Sequence, residues 1–388
     1  MNSRIEKLQK LLAKDGVDGA LYATSANLQY FLDDTSFKWQ RTPETGGVSG
    51  FGLPENGHFL NKADCILYVP TDGEPVLVMT YDRARDMGHI NMKKEVCYYV
   101  LLGDALRAHL KGKRIACGES CQDHLKAIVR EIDPGIEVVK GEQYGEELRK
   151  VKDAREIATL RKLAKFTDQA MLDLIPSLKP GNSPRDIQNL LVKYAVDHGL
   201  TDIPFPATCH CTLTDAPGAE DLSGYPKDRP ISTGTALAFD FGYCIDGYSS
   251  DFGRSFYYGR PETSISDAYK ALQEAQLHLL DTIKPGMKMD LCFRTLHEIM
   301  EKHGCGKYLR NYGNVGLMGH QIGIDVHERP WLHDKTEATF EPGMIMCIEP
   351  KYWRPGKAYL RVEDMVLITE TGCESLTEFD RQLFELPS

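Results

Sequence analysis

Two histidines in the last quarter of the chain have types and spacing that could support chemistry. His320 and His327 lie seven residues apart in MGHQIGIDVHERP, residues 318–330. This spacing differs from the i, i+4 pair that a metal-binding helix provides. The two glycines and the alternating aliphatic residues of the stretch predict extended chain leaving a turn. Two histidines alone do not define a site, so their roles depend on the acidic residues elsewhere in the chain.

Four acidic residues follow one pattern in two places. The segments GTALAFD (234–240) and GMIMCIE (343–349) each place a glycine six residues before an acid, across an apolar run. A second acid follows on a later strand-like segment, in GYSSDFGRSF and in LRVEDMVLI. The four are Asp240, Asp251, Glu349 and Glu363. Because desolvating an unpaired charge costs several kcal/mol, carboxylates that end apolar runs need a compensating partner.

A pair of divalent metal ions is the simplest partner for these groups. Four carboxylates and His320 could hold two ions a few ångströms apart, with shared oxygens and a water. This donor set suits Mn²⁺, Co²⁺, Fe²⁺ or Zn²⁺, and the residue types alone do not distinguish among these ions. Taken singly, an aspartate after a strand can be a turn residue, His320 can be structural, and Arg361 can be a surface charge. Their joint occurrence favours the metal site.

An internal repeat predicts how these residues are brought together. The segments SLKPGNSPRDIQNLLVKYAVDHG (177–199) and TIKPGMKMDLCFRTLHEIMEKHG (282–304) match at a single offset of 105. Each predicts a helix end, a KPG turn and a second helix with apolar residues at helical spacing. Each is followed by a strand that ends in one of the acids. Two similar halves packed about a pseudo-twofold axis would place all four carboxylates in one cluster.

The residues before this repeat predict a separate α/β domain at 1–145, followed by a second domain at 146–388. CILYVP and PVLVMT flank the turn TDGE and predict a hairpin, and DHLKAIVREI predicts a helix. A charged, helix-periodic segment begins near 146 and marks the boundary. The stretch 31–63 is long and rich in Gly, Pro and aromatic residues, and loops of this length are commonly functional.

Composition and charge narrow the class of protein. The net charge is −10, and acids and bases alternate without a basic run, which disfavours nucleic acid and anionic membranes as partners. No apolar run of membrane-spanning length and no signal peptide is evident. The 11 cysteines are scattered and do not form a secreted disulfide pattern. The sequence therefore predicts a reduced cytoplasmic protein.

Four segments resemble those of the pita-bread metallopeptidases, the group with methionine aminopeptidase, aminopeptidase P, prolidase and creatinase. They are DFGYCIDGYSSDFGRSF, MGHQIGIDVHERP, GMIMCIEP and LRVED. The spacings of 11 from Asp240 to Asp251 and of 14 from Glu349 to Glu363 resemble prolidase more than methionine aminopeptidase. Residues 1–145 resemble the creatinase-type N-terminal domain. The expected fold is thus α/β (α+β), with a C-terminal pita-bread domain that contains the pseudo-twofold repeat.

The resemblance implies a metal role for five residues. Asp240 would bind one ion and His320 the other. Asp251 and Glu363 would bridge the two ions. Glu349 would bind metal and also transfer a proton from the attacking water to the leaving nitrogen. Two divalent ions are implied, with Mn²⁺ expected first and Co²⁺, Zn²⁺ or Fe²⁺ as alternatives.

Further residues are implied in catalysis and substrate binding. His327 would hydrogen-bond the scissile carbonyl as its oxygen becomes anionic. Arg361 would orient bridging carboxylates such as Asp251. The family's peptidases carry a substrate-binding histidine about 17 residues before the first metal aspartate, where this chain has Ser223. His210, in TCHCTLTD, could fill that role from further upstream. Lys351 stands where the family has a glycine and adds a charge.

These features predict a dinuclear metal-dependent exopeptidase that cleaves the Xaa-Pro bond of short peptides. A homodimer is implied, with Trp39 or Phe51 as candidate contacts near the partner's site. Ser223 keeps open an enzyme of the same fold that acts on a small non-peptide substrate, as an amide hydrolase or a lyase. A metal-free interaction protein built on this fold is a third alternative.

Overall fold

The computed structural model describes residues 2–35, 39, 63–200, 202–212, 224–311 and 315–387. Within these ranges, residues up to Lys150 form one compact unit and residues from Val151 onward form a second. The domain limits that the sequence suggests, 1–145 and 146–388, stay a prediction. Phe51, Ser223 and most of the stretch 31–63 lie outside the described residues.

The first unit is built on a mixed sheet. In its described residues six strands lie in the order β4-β3-β2-β1-β5-β6, with β1–β2 and β2–β3 antiparallel and the other pairs parallel. The strands are β1 (Gly19–Tyr22), β2 (Cys65–Pro70), β3 (Val76–Thr80), β4 (Lys93–Cys97), β5 (Arg114–Cys117) and β6 (Glu137–Lys140). The helices are α1 (Ser3–Lys14), α2 (Ala26–Leu32), α3 (Tyr81–Met87), α4 (Leu102–Arg107), α5 (Gln122–Ile132) and α6 (Glu142–Lys150). The predicted β2–β3 hairpin and the helix at α5 are confirmed.

Among its described residues the second unit contains a four-stranded sheet, a five-stranded sheet, two small hairpins and four long helices. The helices are α7 (Ala154–Leu174), α8 (Pro184–Asp197), α9 (Thr263–Thr282) and α10 (Asp290–Lys302). The strands are β7 (Thr208–Cys211), β8 (Ala236–Asp240), β9 (Cys244–Ile245), β10 (Tyr248–Ser249), β11 (Ser255–Tyr258), β12 (Leu317–Gln321), β13 (Glu328–His333), β14 (Ile345–Ile348), β15 (Lys351–Arg354), β16 (Ala358–Arg361), β17 (Asp364–Ile368), β18 (Cys373–Ser375) and β19 (Phe384–Leu386). The four-stranded sheet has the order β19-β11-β8-β7, and the five-stranded sheet has the order β13-β12-β14-β17-β18. The five-stranded sheet is antiparallel, whereas the four-stranded sheet is mixed because β11 and β19 pair in parallel.

The two halves of this unit repeat the same order of elements. A KPG turn joins α7 to α8 and another joins α9 to α10, and both turn glycines have positive φ, +98° at Gly181 and +80° at Gly286. A side chain would be strained in that conformation, which explains the glycine in each copy. The strands β7-β8-β11 are neighbours in the same order as β12-β14-β17, and each half adds a small hairpin, β9–β10 or β15–β16. The predicted internal repeat is confirmed.

The core of the second half lies between its helices and its sheet. Leu272 and Leu279 of α9 and Leu296 of α10 are buried in one apolar cluster with Met346 and Val366 of the sheet. These positions follow helical spacing on the helices and lie on the central strands of the sheet. Burial of each such side chain contributes about 1.5–3 kcal/mol. This packing fixes β14, which directly precedes Glu349, and β17, which directly follows Glu363.

The prediction of extended chain across residues 318–330 is wrong for residues 322–327. The strand β12 ends at Gln321, the chain bends through residues 323–327, and β13 begins at Glu328. Ile322, Ile324 and Val326 are nevertheless all buried. Their alternation therefore reflects packing of an irregular connection against the core, which period-two spacing cannot distinguish from a strand.

Candidate active site

The ends of strands place the four acidic residues in one region. Asp240 ends β8 and Glu349 directly follows β14, while Asp251 and Glu363 lie in the connections that lead to β11 and β17. The two halves meet where Gly253 pairs with Glu363, whose backbone N–H donates to the Gly253 carbonyl at 2.9 Å. A Cβ at Gly253 would lie 2.3 Å from Arg361 Cδ. This glycine therefore allows the close approach that brings the acids together.

A buried cluster of four potential metal ligands lies at this junction. One ligand atom from each of Asp251, His320, Cys347 and Glu363 lies within 4.8 Å of the others. All four residues are buried, and His320 Nε2 lies 3.5 Å from Asp251 Oδ2 and 3.9 Å from Glu349 Oε1. Three of these residues, Asp251, His320 and Glu363, are ligands predicted from the sequence, and Cys347 is not.

The His320 ring is oriented with Nε2 toward the carboxylates. Its Nδ1 lies 3.1 Å from the Gln321 carbonyl oxygen, which can only accept a hydrogen bond. Nδ1–H is therefore the donor, and in the neutral ring Nε2 carries a free lone pair. Among the described residues this nitrogen has no hydrogen-bond partner. That arrangement is the one required of a metal-binding imidazole.

The two central carboxylates carry unsatisfied oxygens. Asp251 Oδ1 and both carboxylate oxygens of Glu363 are buried without a hydrogen-bond partner in the part of the chain that the structure describes. Burial, with repulsion from Asp240 and Glu349, raises the pKa of Asp251 well above its ordinary value. Burial and the charges of Asp251 and Glu349 do the same for Glu363. A divalent cation would remove this repulsion, so the donor set fits a metal ion.

Arg361 is an ion-pair partner of three of the acids. Its Nη1 contacts Asp240 and lies 3.3 Å from Glu363 Oε2, and its Nη2 lies 3.1 Å from Glu349 Oε2. Burial lowers the pKa of this guanidinium, but Asp240 and the other carboxylates raise it well above the ordinary value. The role expected of Arg361, to orient bridging carboxylates such as Asp251, stays a prediction, and its ion pair with Glu363 is consistent with it. The guanidinium connects acids from both halves of the unit.

Lys351 adds a second cation to the site. It is buried, lies opposite Arg361 in the β15–β16 hairpin, and its Nζ contacts Glu349 Oε2. Burial raises the pKa of Glu349, but Lys351 and Arg361 outweigh this effect and lower the pKa to about 2. Glu349 is therefore ionised at neutral pH. In the sequence, Lys351 is recognisable by its place two residues after Glu349, which puts both side chains near the site.

His327 lies beside His320, although the two are on different segments. Their ring centroids are 4.3 Å apart, and His327 stacks on Trp331 of β13 with centroids 5.3 Å apart and planes inclined by 14°. Burial, and to a lesser extent His320, lower the pKa of His327 to about 2, so the imidazole is neutral. The next residue, Glu328, pairs with Lys152 at 3.1 Å in a buried salt bridge that anchors this segment.

His210 reaches the site through strand pairing. It lies opposite Ala238 in the β7–β8 pair, and Ala238 precedes Asp240 by two residues on the same face. Its ring packs edge-on against Tyr359 with centroids 5.5 Å apart. Burial lowers the pKa of His210 to about 4, although the nearby Asp240 acts in the opposite direction. The structure therefore brings His210 to the Asp240 side of the acidic cluster.

A buried arginine supports the strand that follows Glu363. Arg254 is fully buried, and its Nη2 lies 2.7 Å from Asp364 Oδ1 while its Nη1 donates to the Glu363 carbonyl. Asp364 also accepts hydrogen bonds from Gln276 Nε2 and Arg381 Nε, each at 2.7 Å. This network was not foreseen from the sequence. Arg254 lies directly before β11, between Gly253 and Ser255, and no local sequence pattern marks it as buried.

The sequence pattern of the Metallopeptidase family M24 matches residues 158–370, more than half of the chain. The chain belongs to this family. It is therefore a metallopeptidase with the pita-bread fold, as the resemblance implied. Within the described residues, no helix combines the length and the apolar character needed to cross a membrane.

Relatives of this family member match along its whole length. It is 26% identical over 388 residues to a Xaa-Pro dipeptidase of Pyrococcus furiosus, covering 99% of this chain and 100% of the relative. A prolidase from Thermococcus sibiricus superposes with a TM-score of 0.83 at 24% identity, covering all of both chains. An X-Pro aminopeptidase from Thermotoga maritima superposes with a TM-score of 0.78 at 20% identity, covering 98% and 99% of the two chains. The two structural matches establish the fold.

Proposed function

We propose that this M24 metallopeptidase hydrolyses the Xaa-Pro bond of short peptides, dipeptides foremost, at a centre that holds two divalent metal ions. The observation that carries the proposal is the buried group of Asp251, His320 and Glu363. Asp251 Oδ1, His320 Nε2 and both Glu363 carboxylate oxygens lack hydrogen-bond partners among the described residues. The names of the relatives, Xaa-Pro dipeptidase and prolidase, support the substrate class.

Five residues would hold the ions. Asp240 would bind one and His320 the other, with Asp251 and Glu363 shared and Glu349 completing the set. Ions held there would polarise the scissile carbonyl and activate water at neutral pH. Arg361 keeps Asp240, Glu349 and Glu363 oriented through its ion pairs.

Glu349 is the proton-transfer group in this proposal. It is ionised because Lys351 and Arg361 lower its pKa to about 2. As a carboxylate it can accept the proton of the attacking water and pass it to the leaving nitrogen. Its burial excludes competing bulk water from this transfer.

Two histidines would contact the substrate from opposite sides of the acidic cluster. His327 is neutral, with a pKa of about 2, so its ring can donate a hydrogen bond to the developing oxyanion without repelling cations. His210 lies beside Asp240 in the other half and would contact the peptide near the scissile nitrogen. The imidazole missing at Ser223 would then be supplied by His210.

An enzyme of the same fold acting on a small amide or a lyase substrate is the second candidate. The observation that favours it is Lys351, a buried cation in contact with the proton-transfer residue Glu349. Mn²⁺ as the metal, a homodimer and a cytoplasmic location remain predictions that accompany the first candidate. Trp39 as a dimer contact also remains a prediction.

Release of amino acids from Ala-Pro and Ala-Pro-Ala distinguishes the Xaa-Pro peptidase from the enzyme that acts on a non-peptide substrate. The protein is loaded with Mn²⁺, and Asp251→Ala is the inactive control. We expect free alanine and proline from the dipeptide and little turnover of the tripeptide. Preference for the tripeptide would indicate an aminopeptidase. Inactivity on both, with metal bound, would contradict the peptidase proposal and favour the second candidate.

A further inference from the structure

A cysteine lies among the metal ligands of only one half of the site. Cys347 of β14 precedes Glu349 by two residues, so both side chains point to the same face. It lies opposite His320 in the β12–β14 pair. Its Sγ is one of the four ligand atoms that lie within 4.8 Å of one another, with those of Asp251, His320 and Glu363.

The Cys347 thiol is buried beside the charged side chains of the acidic cluster. It is fully buried, and within the described ranges its Sγ makes no hydrogen bond. Cys211, another buried cysteine of this unit, differs in that its Sγ lies 3.8 Å from the Cys209 carbonyl oxygen. A buried sulfur without a partner beside buried carboxylates is positioned to contact a cation that those carboxylates hold.

Unsatisfied atoms beside the sulfur provide an independent indication of a ligand. His320 Nε2, Asp251 Oδ1 and both Glu363 carboxylate oxygens have no hydrogen-bond partner among the described residues. Each of these three residues is less than 5% exposed. Together with the thiol they offer one sulfur, one nitrogen and carboxylate oxygens toward one point.

We infer that Cys347 is a thiolate ligand of the metal ion held by His320, Asp251 and Glu363, and that this position selects a thiophilic ion over Mn²⁺. The inference rests on the metal centre of the proposed function. Sulfur, imidazole and carboxylate form a donor set typical of Zn²⁺, whereas Mn²⁺ favours oxygen ligands. Coordination replaces the thiol proton, which passes to solvent.

The repeat makes the two metal positions unequal. Ala238 occupies in β8 the place that Cys347 occupies in β14, because each lies opposite a histidine and two residues before an acid. At the Asp240 position, Ala238 therefore offers no sulfur donor. We expect it to retain the preference of an oxygen-rich site for harder ions.

Metal titration of the full-length protein tests this inference. Metal-free wild type, Cys347→Ser, Cys347→Ala and Cys292→Ser are each given one equivalent of Cd²⁺ or Co²⁺. Cys292 is also fully buried but lies on α10, outside the cluster, and serves as the matched control. We expect thiolate-to-metal charge-transfer absorption in wild type and Cys292→Ser, and its absence in both Cys347 variants.

The selectivity of binding provides a second readout. The ratio of Cd²⁺ affinity to Mn²⁺ affinity should fall about tenfold or more in Cys347→Ser. A purely structural role would weaken binding of both ions equally and would overturn the inference. So would wild-type protein that binds metal without charge-transfer absorption, a result that needs no variant to fold. Absence of bound metal in wild type would contradict the proposed metal centre itself.

Discussion

His210 and His320 occupy equivalent positions in the two halves of the catalytic unit. His210 lies opposite the residue two before Asp240, and His320 lies opposite the residue two before Glu349. The repeat thus supplies one imidazole to each side of the acidic cluster. Only His320 is part of the buried group of potential ligands. The equivalent histidine is left to act on the substrate.

Replacing His210 by alanine should impair turnover without removing metal. We expect kcat/KM for Ala-Pro to fall about 100-fold or more, because a positioned imidazole is lost. Metal content, measured by atomic emission, should match that of wild type. His198→Ala, at an exposed position after α8, is the control. Loss of metal from His210→Ala would contradict this division of roles.

Removal of the Lys351 cation should strengthen metal binding. The ammonium group contacts Glu349, so it competes with any cation held by that carboxylate. In Lys351→Met we expect Mn²⁺ affinity to rise at least several-fold by calorimetric titration. Lys351→Arg retains the charge and should behave like wild type. Weaker binding in Lys351→Met would show that the lysine supports the site instead.

The salt bridge between Lys152 and Glu328 should be essential to stability. Both side chains are 1–2% exposed, so removal of one leaves the other charge buried. We expect Lys152→Met to lower the free energy of unfolding by about 3–5 kcal/mol in urea denaturation. The double variant Lys152→Met/Glu328→Gln should regain part of the loss. Equal stability of wild type and Lys152→Met would exclude this role.

Stability should fall with rising pH because of Asp168. Burial raises the pKa of this residue to about 6 from an ordinary value of 3.8. Because the pKa is raised in the folded state, the protonated carboxyl contributes its full stability below the ordinary pKa of 3.8. That stability is lost as the pH rises through the folded-state pKa of about 6. Asp168→Asn keeps an oxygen for the Glu378 N–H, which donates to Asp168 Oδ2 at 2.6 Å.

The measurement for Asp168 is urea denaturation at several pH values between 4 and 7. We expect Asp168→Asn to be more stable than wild type at pH 7, by about 1–3 kcal/mol, with the difference shrinking toward pH 4. Asp173→Asn, at an exposed position on the same helix, is the control. A difference that does not depend on pH would refute the titration of Asp168 as the cause.

The acids and the repeat were predictable from sequence because each depends on local pattern. Asp240 and Glu349 end apolar runs after matching glycines, and strand ends place them without knowledge of the packing. The position of His210 was harder to predict, because a long loop separates it from Asp240 in the sequence. The pairing of β7 with β8 brings the two residues close together whatever the length of that loop. Register between strands, not distance in sequence, brings His210 beside Asp240.

Other contacts depend on tertiary packing that no local pattern encodes. The ion pairs of Arg361 with Asp240, Glu349 and Glu363 connect both halves, whereas the sequence indicated only a role toward bridging carboxylates such as Asp251. Cys347 could have been found from strand alternation, since it precedes Glu349 by two residues. Trp331 stacks on His327 only because the chain bends between β12 and β13.

The most direct test is to follow metal content and Ala-Pro hydrolysis in one sample during chelation and reloading. We predict that activity disappears as metal is removed and returns as two equivalents of divalent ion bind per chain. Asp251→Ala should neither bind the ions with wild-type affinity nor recover activity. Hydrolysis of Ala-Pro by fully metal-free protein would contradict the proposal that this cluster is a metal-dependent peptidase centre.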